Sequence, residues 1–157
     1  MGGTHNTTRL SYNVIGAAMA VHRALGCGFL ESVYEHALVT ELRHRGITHA
    51  RQTSMTVRYR GELVGRFRAD LVADNRLVIE LKAAAAISPA CQAQLLNYLR
   101  AAEMPVGLIL NFGTPTLQIK RLANSVGPIA TNGAGIRSEM SSKAPQIAQM
   151  TQRARNE

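Results

Sequence analysis

From Ser11 onward Val14, Ala17, Ala18, Val21 and Leu25 recur at helical spacing, which predicts a first helix to about Ala24 behind a flexible N-terminus over residues 1–10. Gly26-Cys27-Gly28 breaks it. A second helix is expected from Leu30, with Leu30, Val33, Tyr34, Ala37, Leu38 and Leu42 inward, closing on Arg43 and Arg45 before the stop residue Gly46. Alternation follows, with Met55, Val57 and Tyr59 on one face, Thr56 and Arg58 on the other, and a turn at Gly61. Ser88-Pro89 opens a third helix, a capping residue followed by proline in the first turn. That helix turns Leu95, Leu96 and Leu99 inward and sets Gln94 and Tyr98, four apart, on a neighbouring face. Val106 to Phe112, VGLILNF, reads as a strand covered on both faces. Thr116 to Leu122 alternates like an edge strand, and 123–157 is expected to be a disordered tail with a short helix near Gln146 to Arg153. The order of elements predicts an α/β or α+β sandwich around a mixed sheet, in one domain over residues 11–122.

Phe67 to Lys82, FRADLVADNRLVIELK, is the centre of this pattern. Phe67, Ala69 and Leu71 alternate with Arg68, Asp70 and Val72, and Leu77, Ile79 and Leu81 alternate with Val78, Glu80 and Lys82. Asp74, Asn75 and Arg76 form a short polar turn between the two strands. A turn centred on Asn75 sets Asp70 opposite Glu80, roughly 5 Å apart on one face, with Lys82 on that face too. Two close carboxylates raise one another's pKa, and a hard divalent cation such as magnesium or manganese removes the repulsion. A lysine beside them can hold an anionic substrate. The simpler reading of the hairpin alone is a cross-strand salt-bridge face of Arg68, Asp70, Glu80 and Lys82.

Charge changes the picture. The 157 residues carry 18 cations, 15 of them arginine, against 10 acids, a net +8, which favours a polyanionic partner. Arg58, Arg60, Arg66 and Arg68, of equal parity along the strands, are candidates for a phosphate-facing rim, with a solvated surface as the alternative for any one of them. Two cysteines, Cys27 and Cys91, are too few for a disulfide framework or a CxxC zinc site. With no charged-then-apolar leader and no apolar run near the roughly 18 residues of a membrane span, a cytoplasmic protein is expected. Glu31 and Glu35 open the second helix, where its dipole favours negative charge, and for Glu35 that role suffices. His22 is a packing residue or, less simply, a ligand or general base.

Four blocks in order, Gly28-Phe29-Leu30-Glu31-Ser32-Val33-Tyr34, Arg68-Ala69-Asp70, Glu80-Leu81-Lys82 and Gln94-Leu95-Leu96-Asn97-Tyr98, resemble the GxxExxY family of the PD-(D/E)XK nuclease-like superfamily. The resemblance spans about Ser11 to Leu122, and Cys27 stands where the family pattern has proline. It implies a restriction-endonuclease-like αβββαβ core. Asp70 and Glu80 would be metal ligands, with the Leu81 carbonyl as a further ligand, Glu31 completing the shell directly or through water, and Lys82 as the catalytic lysine. Gln94 and Tyr98 match a QxxxY element whose glutamine helps orient the site or its substrate; the alternative for Tyr98 is that it finishes the core beside Leu95 and Leu99.

The leading function is therefore Mg2+- or Mn2+-dependent hydrolysis of phosphodiester bonds in nucleic acid, DNA in the first instance. The main rival is a nucleic-acid- or protein-binding module that keeps the fold without turnover. A third reading is a homodimer or a subunit of a larger defence or repair complex, active only when assembled.

Overall fold

The computed structural model describes residues 3–125. Most of the expected tail, including the helix near Gln146 to Arg153, lies outside the described residues. The elements are α1 (Gly3–Leu25), α2 (Glu31–His44), β1 (His49–Tyr59), β2 (Glu62–Ala73), β3 (Leu77–Lys82), α3 (Pro89–Ala101), β4 (Val106–Asn111) and β5 (Gln118–Ala123). Five strands form one sheet in the order β1-β2-β3-β4-β5. β3 and β4 run parallel, joined by the α3 crossover, and the other neighbours are antiparallel. This is the α+β arrangement around a mixed sheet expected from the order of elements, and it is consistent with the restriction-endonuclease-like core that the family resemblance implies. Among the described residues no helix is long and apolar enough to cross a membrane.

The sheet is covered on both faces. Leu10, Val14, Ala17 and Val21 of α1 and Tyr34, Leu38 and Leu42 of α2 pack on Leu71, Ile79, Leu81 and Leu108. Leu95 and Leu99 of α3 pack on Val72, Val78 and Ile109 from the other side. Burial on both faces is what the apolar start of β3, Leu77-Val78-Ile79, and the apolar run of β4 require.

Three boundaries differ from expectation. α1 begins at Gly3, within the stretch expected to be flexible. Its buried stripe extends upstream through Leu10 to Thr7, so the polar N-terminal turns have a face to bury. On α2, Leu30 is 75% exposed and Val33 is exposed as well. Leu30 is the residue before the first helical turn, and Tyr34 takes the inward place, its hydroxyl donating to the Gly26 carbonyl and accepting the Phe29 N–H. At the other end, Ala123 completes β5, and Asn124 still bonds back, its N–H donating to the Pro105 carbonyl.

The alternation in β2 also breaks. Phe67, Ala69 and Leu71 were expected on one face, but Ala69 packs with α3 and Leu71 with α1 and α2. The break sits where β1 pairs Arg51 with Leu71 and Thr53 with Ala69, skipping Gln52, whose φ is 48°. A left-handed residue interrupts the pleat, so side chains on either side of it no longer share one frame. The position opposite the break is Asp70.

Candidate active site

β2 and β3 keep the register expected from the turn at Asn75: Leu71 pairs with Ile79, Val72 with Val78 and Ala73 with Leu77. The ladder stops there. In place of a further rung, Asp70 Oδ2 accepts the Leu81 backbone N–H at 2.8 Å. The gap left by the diverging strands holds Asp70 and Glu80. Lys82 Nζ stands 3.9 Å from Glu80 Oε2, so the lysine shares the acids' side as the pattern predicted.

This carboxylate pair is electrostatically strained. Glu80 is only 8% exposed, and its Oε1 is buried with no hydrogen-bond partner. Burial, and next the Asp70 charge, push its pKa up to about 7, against the lowering pull of Lys82. Asp70 is also raised, by burial first, while the Leu81 N–H and Lys82 pull it back. An unsatisfied buried carboxylate oxygen costs folding free energy, which a merely structural salt-bridge face would avoid.

Glu31 enters from the first turn of α2, and its Oε1 accepts the Ala83 N–H at 3.2 Å. Its charge bears on both Asp70 and Glu80. Even so, among the described residues no three His, Cys, Asp or Glu side chains converge closely enough to form a ready metal cluster. The strap that Glu31 meets is fixed from β4. Buried Asn111 accepts the Ala84 N–H and donates to the Ala84 carbonyl, both at 2.9 Å, and the Phe112 N–H donates to the Lys82 carbonyl at 2.7 Å.

α3 roofs the site. Ser88 caps it by accepting the Cys91 N–H, with Pro89 in the first turn, as its sequence predicted. Cys91 and Tyr98, seven residues apart and so on nearly one face, both feel Glu80 and Lys82; burial, chiefly, raises the pKa of each. Tyr98 also stacks on Phe67 of β2, with ring centroids 3.8 Å apart and planes 8° from parallel. Tyr98 thus packs on β2 while remaining within electrostatic reach of Glu80 and Lys82. Gln94 lies on the same face one turn earlier, exposed and without a hydrogen bond among the described residues.

Arg66 and Arg68 are exposed on β2 and make no ion pair among the described residues. Arg58 is set apart from them, because the register shifts between Val57 and Arg58, pairing Arg58 with Leu63, and its guanidinium donates to the Gly61 carbonyl. His22 is a packing residue, its Nε2 2.9 Å from the Thr114 carbonyl and its ring beside Phe112.

Two residues of the site escaped the sequence pattern. Glu35 does more than favour the helix dipole: it accepts bonds from Arg51 and Gln52, and its charge helps raise Asp70. Asn111 closes an apolar run, and the signal for it was a lone amide at the end of a strand buried on both faces.

A family model described as the PD-(D/E)XK nuclease superfamily matches residues 8–122. No curated protein matches the chain. One similar solved structure, titled "Crystal structure of SSO0001", has a TM-score of 0.49 and 17% identity, covering 64% of this chain and 52% of that one, about half its length. The family match runs from α1 to β5 and takes in every element that carries the Asp70, Glu80 and Lys82 constellation: the chain belongs to the PD-(D/E)XK nuclease superfamily.

Proposed function

We propose that the protein is a divalent-metal-dependent nuclease that hydrolyses phosphodiester bonds in DNA, and that within its superfamily it groups with the GxxExxY proteins. One observation carries this reading: Glu80 is buried with an unpartnered oxygen beside Asp70, at the point where two paired strands diverge. Hard oxygen donors held close together and raised in pKa fit Mg2+ or Mn2+. Asp70 and Glu80 would hold the cation with the Leu81 carbonyl, and Glu31 would join through water, since its carboxylate is bonded to Ala83. Bound there, such a cation supplies Lewis acidity toward a phosphoryl oxygen and makes water a competent nucleophile at neutral pH.

The chain's own groups do the rest. The Lys82 ammonium stands beside Glu80, where it neutralises charge that grows on the phosphate as water attacks and the P–O bond to the leaving oxygen breaks. Gln94 and the Tyr98 hydroxyl, on the α3 face above Glu80, orient the substrate. Arg66 and Arg68 hold flanking phosphates, with Arg58 bracing the turn beyond them.

The test joins metal binding to turnover. Mg2+ or Mn2+ should raise the thermal midpoint of the wild type, and Asp70→Asn and Glu80→Gln should remove that rise. The same metals should support cleavage of DNA by the wild type alone. Equal metal shifts in all three proteins would refute the metal assignment. DNA binding without metal-dependent cleavage would replace the nuclease with a binding module.

A further inference from the structure

The β1–β2 ribbon outgrows the sheet. β3 pairs with β2 only over Leu71–Ala73, whereas β1 and β2 stay paired out to Tyr59 and Glu62. From Thr53 to Tyr59 the free ribbon is roughly 20 Å long at about 3.3 Å per residue. α3 supports its base, where Tyr98 stacks on Phe67 and Met55 packs against the α3 cluster. The tip is a tight two-residue turn, Arg60 at φ 49° and Gly61 at φ 85°, the left-handed pair that matches strand twist. Tyr59 is 59% exposed, Val64 59% and Leu63 41%, an apolar tip that folding leaves uncovered. A protruding ribbon with such a tip invites aggregation unless a partner covers it.

Charge identifies the partner. Residues 53–69 hold Arg58, Arg60, Arg66 and Arg68 against Glu62 alone, a net 4 − 1 = +3. Arg60 lies over the Tyr59 ring at 5.5 Å, which holds a cation and a flat apolar surface together at the tip. A two-stranded ribbon has the width of the DNA major groove, while the deep, narrow major groove of an RNA duplex excludes side chains. Arg68 is two residues from Asp70, so a duplex gripped by the ribbon runs past the candidate active site.

We propose that the β1–β2 ribbon is a DNA-duplex-gripping arm, with Arg66 and Arg68 on phosphates and Tyr59, Leu63 and Val64 against base edges in the groove. The arm rests on the nucleic-acid part of the reading above and is independent of cleavage.

Fluorescence anisotropy with the full chain in EDTA, on duplex DNA, single-stranded DNA and duplex RNA across a salt series, tests it. Wild type should prefer duplex DNA. The triple variant Tyr59→Ser/Leu63→Ser/Val64→Ser should bind it about tenfold more weakly with an unchanged salt slope. Arg66→Ala/Arg68→Ala should flatten the slope of log K against log salt by about 1.8. These side chains are exposed, and unchanged circular dichroism confirms folding of both variants. Wild-type duplex affinity in the triple variant overturns the arm, as does preference for single strands or RNA. So does a wild-type dimer, seen by light scattering, that the triple variant dissolves without loss of duplex affinity, which makes the tip a contact between copies of this chain. Arm-dependent binding without metal-dependent cleavage refutes only the nuclease, and metal-dependent cleavage with arm-independent binding refutes only the arm.

Discussion

Asp70 Oδ2 accepts the Leu81 backbone N–H at 2.8 Å, so a side chain does the work of the rung that β2 and β3 fail to make. The bond both ends the ladder and aims the carboxylate into the gap. Asp70→Asn keeps a carbonyl acceptor there and removes a charge that repels Glu80. Asp70→Ala leaves the Leu81 N–H without a partner, at a cost of about 1–3 kcal/mol. In chelator, the urea midpoint of Asp70→Ala should therefore fall well below that of Asp70→Asn, which should equal or exceed wild type. The reverse order would show that the Leu81 bond does not position Asp70.

Stability of the metal-free protein should fall as pH rises toward neutrality. The Glu80 pKa is about 7 in the folded chain against an ordinary value of 4.5, so between these values the folded state binds the extra proton. Its contribution is fully present below pH 4.5 and is lost as pH rises through about 7. The shift corresponds to something on the order of 3 kcal/mol, since each pH unit is worth about 1.4 kcal/mol. Glu80→Gln should abolish this component, making the variant more stable than wild type at pH 8 and near parity at pH 4.5. Equal pH slopes for the two proteins in chelator would remove the basis for a strained Glu80.

Gly113 follows the Asn111-Phe112 pair that clasps the strap after Lys82. A Cβ at Gly113 would overlap the Ala84 backbone N and O and the Ala83 carbonyl carbon, none of which sits at the end of a flexible side chain. Gly113→Ala should therefore destabilise by about 1–3 kcal/mol, as overpacking does. It should also impair the site more than its distance from Asp70 implies, because Glu31 is bonded to the displaced strap. A melting temperature within about 1 °C of wild type would show that the strap gives way freely.

The fold was legible because its signals are local. Ser88-Pro89 states a helix start, Asp74-Asn75-Arg76 a turn, and the VGLILNF run a strand buried on both faces, and each behaves as its chemistry dictates. The gathering of Asp70, Glu80 and Lys82 on one side was legible for the same reason, since a correct turn fixes a strand register for several residues. The face of Leu71 was not, because the alternation that predicts it assumes an unbroken pleat and Gln52, nineteen positions away in sequence, breaks it. Glu35 was missed because its effect on Asp70 is set by how α2 lies across the sheet, which no spacing within α2 encodes. The exposure of Leu30 and Val33 has the same origin: helical periodicity shows that a stripe exists, and Tyr34 decides where its centre lies.

Lys82 separates structure from chemistry. It is part-exposed, and its ammonium is 3.9 Å from Glu80 Oε2, too distant to satisfy the carboxylate by a direct hydrogen bond. Such a pair contributes about 0–1 kcal/mol to stability, so Lys82→Ala should fold and melt close to wild type. It should also retain Mg2+ binding, because no proposed ligand is lost. Its removal takes away the cation that lowers the Glu80 pKa, so the pH midpoint for loss of metal-free stability should move upward. Charge that develops only as the phosphate reacts is where the ammonium matters most, and cleavage of duplex DNA should fall about 10²–10³-fold. Single-turnover rates with Mg2+ at saturating protein measure that loss free of binding effects. Rates within threefold of wild type, in a variant that melts and binds metal normally, would remove Lys82 from the chemistry and leave it a surface partner of Glu80.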